Sequence, residues 1–260
     1  SVDFDYDRIL TENYIPMLCL MHRKSCLDKV GVFDEDLHAL EDWDLLIRLS
    51  RHYRLAHIAR ATCEFGWRTD GTTTTSSRPD YFAAARQKLA ARLVSRPAPV
   101  HGLKRETPLP RALATSIVIL THNQLEHTRK CLESIQKFTP EPHELIMVDN
   151  GSTDGTVQFL KELQAERRNC RVIYNAKNRG FSAGNNQGLV QAEGDFVLLL
   201  NNDTVVTPEW LKRLLSVFER HPDVGVVGPV SNYVSGPQQV AQVDYQALDG
   251  LPAFARAWAA

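Results

Sequence analysis

The chain has 260 residues, an apolar fraction of 43% and a formal net charge of −1, with thirty basic residues against thirty-one acidic ones. That composition supplies an ordinary globular core and argues against global disorder. It provides no broad positive field, so nucleic acid is not expected as a main partner. The five cysteines are scattered and odd in number, without C-x-x-C spacing, which argues against a zinc site or disulfide framework and fits a reducing compartment. No apolar run approaches the ~20 residues that cross a bilayer, and no signal peptide opens the chain.

In chain order, residues 28–36 read as a loop around Gly31, followed by a helix from Leu40 to about Tyr53 with Trp43, Leu46, Ile47 and Leu49 on its apolar side. Residues 69–77 form a polar loop, and the alanine-rich stretch from Tyr81 to Leu93 an amphipathic helix. No strand series is expected in this first block. Residues 96–113 hold four prolines and read as an extended linker, since proline fixes φ and turns the preceding residue away from helix.

The second block alternates strands and helices. Apolar strands are expected at 116–120, 145–148, 171–174, 196–200 and 224–227. Helices are expected between them, at 124–138, after Asp154, at 182–192 and from Pro208 to about His221. This rhythm predicts an α/β fold with a mostly parallel sheet and flanking helices.

In such sheets ligands bind beyond the carboxyl ends of the strands. Three of the expected strands end in polar groups: Thr121-His122-Asn123, Asp149-Asn150 and Asn201-Asn202-Asp203. Asp149 is suited to accept from a base N–H or a ribose hydroxyl. Asp203, emerging from a dry strand, is suited to a hard divalent cation that shares its other positions with phosphate oxygens. The segment Asn178-Arg179-Gly180-Phe181, continuing through Asn186 to Gly188, offers glycines for close approach and an arginine for phosphate or a base edge. It is neither a P-loop nor a dinucleotide fingerprint. Each feature also has an ordinary use: Asp203 as a turn acid before Pro208, Asp149 as the opener of an Asx-turn, 179–188 as a loop ahead of a helix.

Four motifs stand in order: Val118-Ile-Leu-Thr-His-Asn123, Val148-Asp-Asn-Gly-Ser-Thr-Asp-Gly-Thr156, Asn178-Arg-Gly-Phe-Ser-Ala-Gly-Asn-Asn-Gln-Gly188 and Leu200-Asn-Asn-Asp-Thr204. Together, over about 114–245, they resemble inverting family 2 glycosyltransferases of the GT-A fold. The resemblance implies a nucleotide-diphosphate sugar donor, with Thr121, Asn123 and Asp149 near the nucleoside and Asn150, Arg179, Gly180, Asn186 and Asn201 also lining the donor site. It further implies Mg2+ or Mn2+ at Asp203. The family's metal motif begins with an acid where this chain has Asn201, an amide that still ligates but with less charge.

The first block resembles the acceptor-side half of the same family, through Val30-Gly-Val-Phe-Asp-Glu35 and Leu40-Glu-Asp-Trp-Asp-Leu-Leu-Ile-Arg-Leu49. By that resemblance Asp42 is the expected base, although acids at a helix start are also favoured by the helix dipole. Arg68 has two readings, near the donor phosphates or on the plain surface.

The halves stand in reverse of the family's usual order. Two arrangements follow: a slice through a tandem enzyme, with 1–95 ending one glycosyltransferase and 114–260 beginning the next, or a permuted chain whose halves form one site. The tandem slice is the expectation taken forward, and both chain ends read as cut. The implied function is sugar transfer to a glycan or lipid-linked hydroxyl in surface polysaccharide synthesis, at a cytoplasmic location that allows peripheral contact with the inner membrane face. The alternative is a non-catalytic carbohydrate- or partner-binding module. A nucleotidyltransferase is disfavoured, because residues 121–126 lack the glycine- and basic-rich loop that a triphosphate needs.

Overall fold

The computed structural model describes residues 4–15, 17, 19–65, 79–94, 115–231 and 250–257. The polar loop at 69–77, the linker at 96–113 and Arg68 lie outside them.

The second block folds as its periodicity requires. Strands β3 (Thr115–Thr121), β4 (His143–Asp149), β5 (Cys170–Tyr174) and β6 (Phe196–Leu200) are joined by helices α5 (Leu125–Phe138), α6 (Thr156–Glu166) and α7 (Phe181–Gln191). They pair in parallel in the order β5-β4-β3-β6. A short strand β7 (Thr204–Val206) follows, then α8 (Trp210–Arg220), β8 (Val224–Ser231) and α9 (Leu251–Ala257). Of these, β7 was not expected.

The first block corrects the sequence reading. It contains two strands, β1 (Cys19–Arg23) and β2 (Arg54–Phe65), besides helices α1 (Tyr6–Ile9), α2 (Ser25–Val30), α3 (Glu41–Ser50) and α4 (Pro79–Val94). Helix α2 occupies the start of the expected 28–36 loop. Strand β1 lacked a readable signal because all five of its residues are buried, so it does not alternate, and it ends in His22-Arg23. Arg23 is tolerated there because it donates to the carbonyls of Val224 and Phe218 and lies over the Phe196 and Phe218 rings.

Both blocks share one eight-stranded sheet, ordered β5-β4-β3-β6-β1-β8-β2-β7. Strand β1 runs antiparallel to β6 along its whole length, from Cys19 opposite Leu200 to Arg23 opposite Phe196, with β8 on its other side. Strand β2 pairs parallel with β8 and antiparallel with β7.

Alternation along the strands divides the core into two layers. Ile117, Ile119, Leu145, Met147, Leu198 and Leu200 face α5, α6 and α8. Val118, Ile146, Val197 and Leu199 face the other way, joining Leu45, Leu46, Ile47 and Leu49 of α3 and Leu189 of α7. Helix α7 lies very close to β3: a Cβ at Gly188 would stand 2.3 Å from Val118 Cγ1, and one at Gly184 2.4 Å from Leu120 Cδ1. These glycines serve helix–sheet packing. A Gly188→Ala variant meets a stiff valine, so the strain should exceed the ~1 kcal/mol gained in helix propensity. A net loss of about 1–2 kcal/mol in urea-unfolding free energy is expected.

Candidate functional site

The C-terminal ends of β3, β4 and β6 form one rim. Thr121, the last residue of β3, stands in register with Asp149, the last residue of β4. Strand β6 flanks β3 on the other side, and Asn201-Asn202-Asp203 follow directly on Leu200. Asp149 and Asp203 are therefore carried by strands on either side of β3. Both are buried, at 1% and 7% exposure.

Asp149 performs two tasks. Its Oδ2 accepts from the N–H groups of Gly151 (3.2 Å) and Ser152 (3.1 Å), the Asx-turn the sequence allowed. Its Oδ1 is buried without a hydrogen-bond partner among the described residues. A buried carboxylate oxygen left unpaired costs about 1–3 kcal/mol or more, so its presence on a strand rim points to a ligand donor. Gly151 makes the turn possible, since its φ of +79° brings it against the Lys177 backbone, where a Cβ would lie at 2.8 Å.

The loops above the rim are tied together. Asn123 accepts from Thr153 N–H at 2.7 Å through Oδ1, and its own N–H donates to Ser152 Oγ at 2.7 Å. Asp154 accepts from the N–H of Leu125 and of Thr156, holding the starts of α5 and α6 with one carboxylate. Beneath them, Asn202 Nδ2 donates to Thr121 Oγ1 (3.3 Å) and Thr128 Oγ1 (3.0 Å).

Asn150 and Asn186 are occupied by the fold itself. Asn150 donates to Asn178 Oδ1 and the Gly180 carbonyl and accepts from Asn175 Nδ2 and Arg179 N–H, which spends its amide on shaping the 175–180 loop. Asn186 exchanges both hydrogen bonds with the Phe33 backbone at 3.0 Å and also donates to Glu35, so it clasps the first block. The loop leaves the Arg179 side chain and Gly180 exposed. Gly180 has a φ of +84° and nothing within 4 Å of a would-be Cβ, so its backbone is open to approach. The Asn201 carbonyl accepts from Cys131 Sγ at 3.7 Å. Burial first, then the negative charge of Asp203, push the Cys131 thiol up. Among the described residues no three His, Cys, Asp or Glu side chains gather into a cage for a cation.

Asp42 sits at the start of α3, on the sheet face that also carries α7. Its Oδ1 accepts from Trp43 N–H at 2.7 Å and Asn13 Nδ2 at 3.4 Å. Burial pushes the Asp42 carboxyl up. Burial and the adjacent Asp42 charge push Glu41 up to about 7. Trp43 is core, with Nε1 donating to the Ile9 carbonyl at 2.6 Å. Asn13 was not singled out in the sequence, since it lies in a loop without a motif, 29 residues from its partner, and Glu41 entered only as the neighbour of Asp42 in the Glu-Asp pair. A cleft of about 520 Å3 opens beside the loop leading into α3, between Asp36–His38 and the Tyr81–Ala91 face of α4.

The family 2 glycosyl transferase model matches residues 116–248, half of the chain. The chain belongs to glycosyl transferase family 2. The fold class implied by the sequence, an α/β sheet of the GT-A type with flanking helices, is the one observed. The chain is 31% identical to an uncharacterized protein, y4gI, of Sinorhizobium fredii, over 93% of this chain and 28% of that protein. It is 28% identical to the O-antigen biosynthesis protein RfbC of Myxococcus xanthus, over 97% of this chain and 20% of that protein. The crystal structure of S. aureus TarS 1–349 in complex with UDP-GlcNAc aligns with 42% of this chain and 32% of its own, at 29% identity and a TM-score of 0.39. The chain thus spans less than a third of the length of either of these two relatives. No helix among the described residues is long and apolar enough to cross a membrane.

The raised Glu41 carboxyl has a consequence for stability. A carboxyl that binds its proton more tightly folded than unfolded helps the fold below its unfolded value of 4.5, and that help is lost as pH rises through about 7. Unfolding free energy should therefore fall between pH 5 and 8, by on the order of 1–3 kcal/mol. Glu41→Gln should flatten that fall, as urea titrations at the two pH values would measure.

Proposed function

We propose that the two blocks build a single glycosyltransferase site, the permuted arrangement, which moves a sugar with inversion from a nucleotide-diphosphate donor to a hydroxyl of a glycan or lipid-linked acceptor. The observation that carries this reading is the rim itself. Asp149 presents a buried, unpartnered oxygen at one strand end, and Asp203 a second buried carboxylate across β3. The single site, in place of two sites divided between tandem enzymes, is supported by β1 lying between β6 and β8.

The residues divide the work as follows. Asp149 Oδ1 accepts from the nucleoside, and Thr121 and Asn123 hold the loop that covers it. Arg179 and the open Gly180 backbone meet the diphosphate; Asn150 and Asn186 position that segment. The donor set suits a hard cation by its chemistry, a buried carboxylate at Asp203 just past the strand end with the amide of Asn201 two residues before it. Mg2+ or Mn2+, held by Asp203 with Asn201 near, would neutralise charge on the leaving diphosphate. The acceptor hydroxyl attacks the anomeric carbon as the bond to the diphosphate oxygen breaks, and Asp42 takes the hydroxyl proton. A raised carboxyl suits that task, since a base works best near the operating pH. The cleft beside α4 offers the acceptor an approach to α3. The likeness to RfbC supports surface polysaccharide assembly, and the five free, buried cysteines suit the cytoplasmic side.

Two variants test this. Asp149→Asn keeps an acceptor for its turn but puts an amide donor where the free oxygen was, and should weaken nucleotide-sugar affinity about tenfold or more by calorimetry. Asp42→Asn should leave that affinity intact and lower kcat by ~100-fold or more. Absence of UDP binding with Mn2+ at millimolar levels, together with no turnover across a panel of other nucleotide sugars, would favour the non-catalytic binding module.

A further inference from the structure

Asn13 lies in the loop between α1 and β1, far from the donor rim in sequence. We infer that Asn13 is a positioning residue for the acceptor-side carboxylate: with Trp43 N–H it clamps Oδ1 of Asp42, so that Oδ2 is the oxygen presented to the acceptor hydroxyl. The inference rests on the reading of Asp42 as base.

The amide has one sensible orientation, because a carboxylate only accepts, so the Asn13 NH2 must face Asp42. That orientation fixes the other end of the amide. Asn13 Oδ1 is buried without a partner among the described residues, and so is Glu41 Oε2 in the neighbouring residue. A buried carbonyl left unpaired costs about 1–3 kcal/mol, and an apolar side chain of the same shape would avoid it. Packing therefore does not explain an asparagine here, whereas orientation of the carboxylate does. Both donors fall on Oδ1, at 2.7 and 3.4 Å, and no side chain among the described residues bonds Oδ2. Together with the Asp42 N–H, which also bonds the carboxylate, these donors restrict its swing about χ2.

The surroundings leave Asn13 as the neutral partner. Glu41 is adjacent in sequence, and the charge of Asp42 helps push the Glu41 carboxyl up. Helix α1 carries Asp7 and Arg8, but Arg8 is paired with Glu12. Helix α2 carries Asp28 and Lys29, neither bonded to Asp42. Further along α3, Asp44 is held by Arg48 and by Arg92 of α4. No basic side chain among the described residues is bonded to Asp42, so the Asn13 donor is the side-chain contact that favours its charged form.

The test follows the Asp42 carboxyl carbon by NMR titration in the full chain, in Asn13→Leu, and in Asn13→Ser as the gentler change. Removing the donor should move the Asp42 midpoint up by about half to one pH unit in Asn13→Leu, and less in Asn13→Ser, which keeps a hydroxyl donor. The acid limb of kcat/KM should move in the same direction, with donor affinity unchanged by calorimetry. A midpoint unmoved in both variants, with only stability altered, would overturn the assignment. A moved midpoint in a chain that neither binds nor turns over any nucleotide sugar would uphold the clamp while removing the glycosyltransferase reading on which its purpose rests.

Discussion

The structure depends on one strand. Cys19–Arg23 is buried along its whole length between β6 of the second block and β8, and its ladder to β6 is antiparallel in a sheet otherwise parallel on that side. Without it, β6 would be an edge strand with an apolar, unpaired side, which is costly to expose and prone to pair elsewhere. With it, the helices that follow in the first block cover the same face as α7. Two contacts fix that cover, Asn186 on the Phe33 backbone and Lys24 Nζ on the Ala192 carbonyl at 2.6 Å, while Arg23 on the Val224 carbonyl anchors β1 on the opposite face. The placement of Asp42 relative to the donor rim is inherited from these contacts.

The rim shows how a polar site is kept in a dry sheet. Most of its side chains satisfy one another: Asn150 shapes one loop, Asn123 and Asp154 tie two others, and Asn202 bridges Thr121 and Thr128. Such a network holds the loops rigid, so the group left over is held rigidly too. The Asp149 Oδ1 atom is one such remainder. The same economy recurs at the acceptor side, where Asp42 is pinned through one oxygen.

Much of this was legible in the sequence. The parallel strands 116–120, 145–148 and 196–200 and their polar tips were readable because a buried β-branched run followed by Asp or Asn has few alternatives in an α/β chain. Of the rival readings of Asp149, the Asx-turn is present through Oδ2, and the ligand reading is compatible with it because Oδ1 is left without a partner. Strands β1 and β2 were not legible, for different reasons. Strand β1 is short, fully buried and ends in His22, whose ring meets the Arg23 carbonyl, and Arg23, whose carbonyl partners lie 201 and 195 residues away. Strand β2 carries irregular pairing to β8, with register shifts near Leu55, Ala61 and Cys63 that blur its period of two. The glycines of 183–188 were legible as close-approach positions, but the neighbour they admit is the sheet. The Asn13–Asp42 contact has no sequence signature, since it depends on how a loop folds back onto α3.

Native-state hydrogen exchange of the β1 amides addresses the central claim most directly. If Cys19–Arg23 is a central strand binding the two blocks into one body, its inward-facing amides should exchange only through global unfolding, with the same free energy as those of β6. Exchange of β1 at a markedly lower free energy, while β3, β4 and β6 stay protected, would mean that the blocks separate readily and would contradict a single shared site.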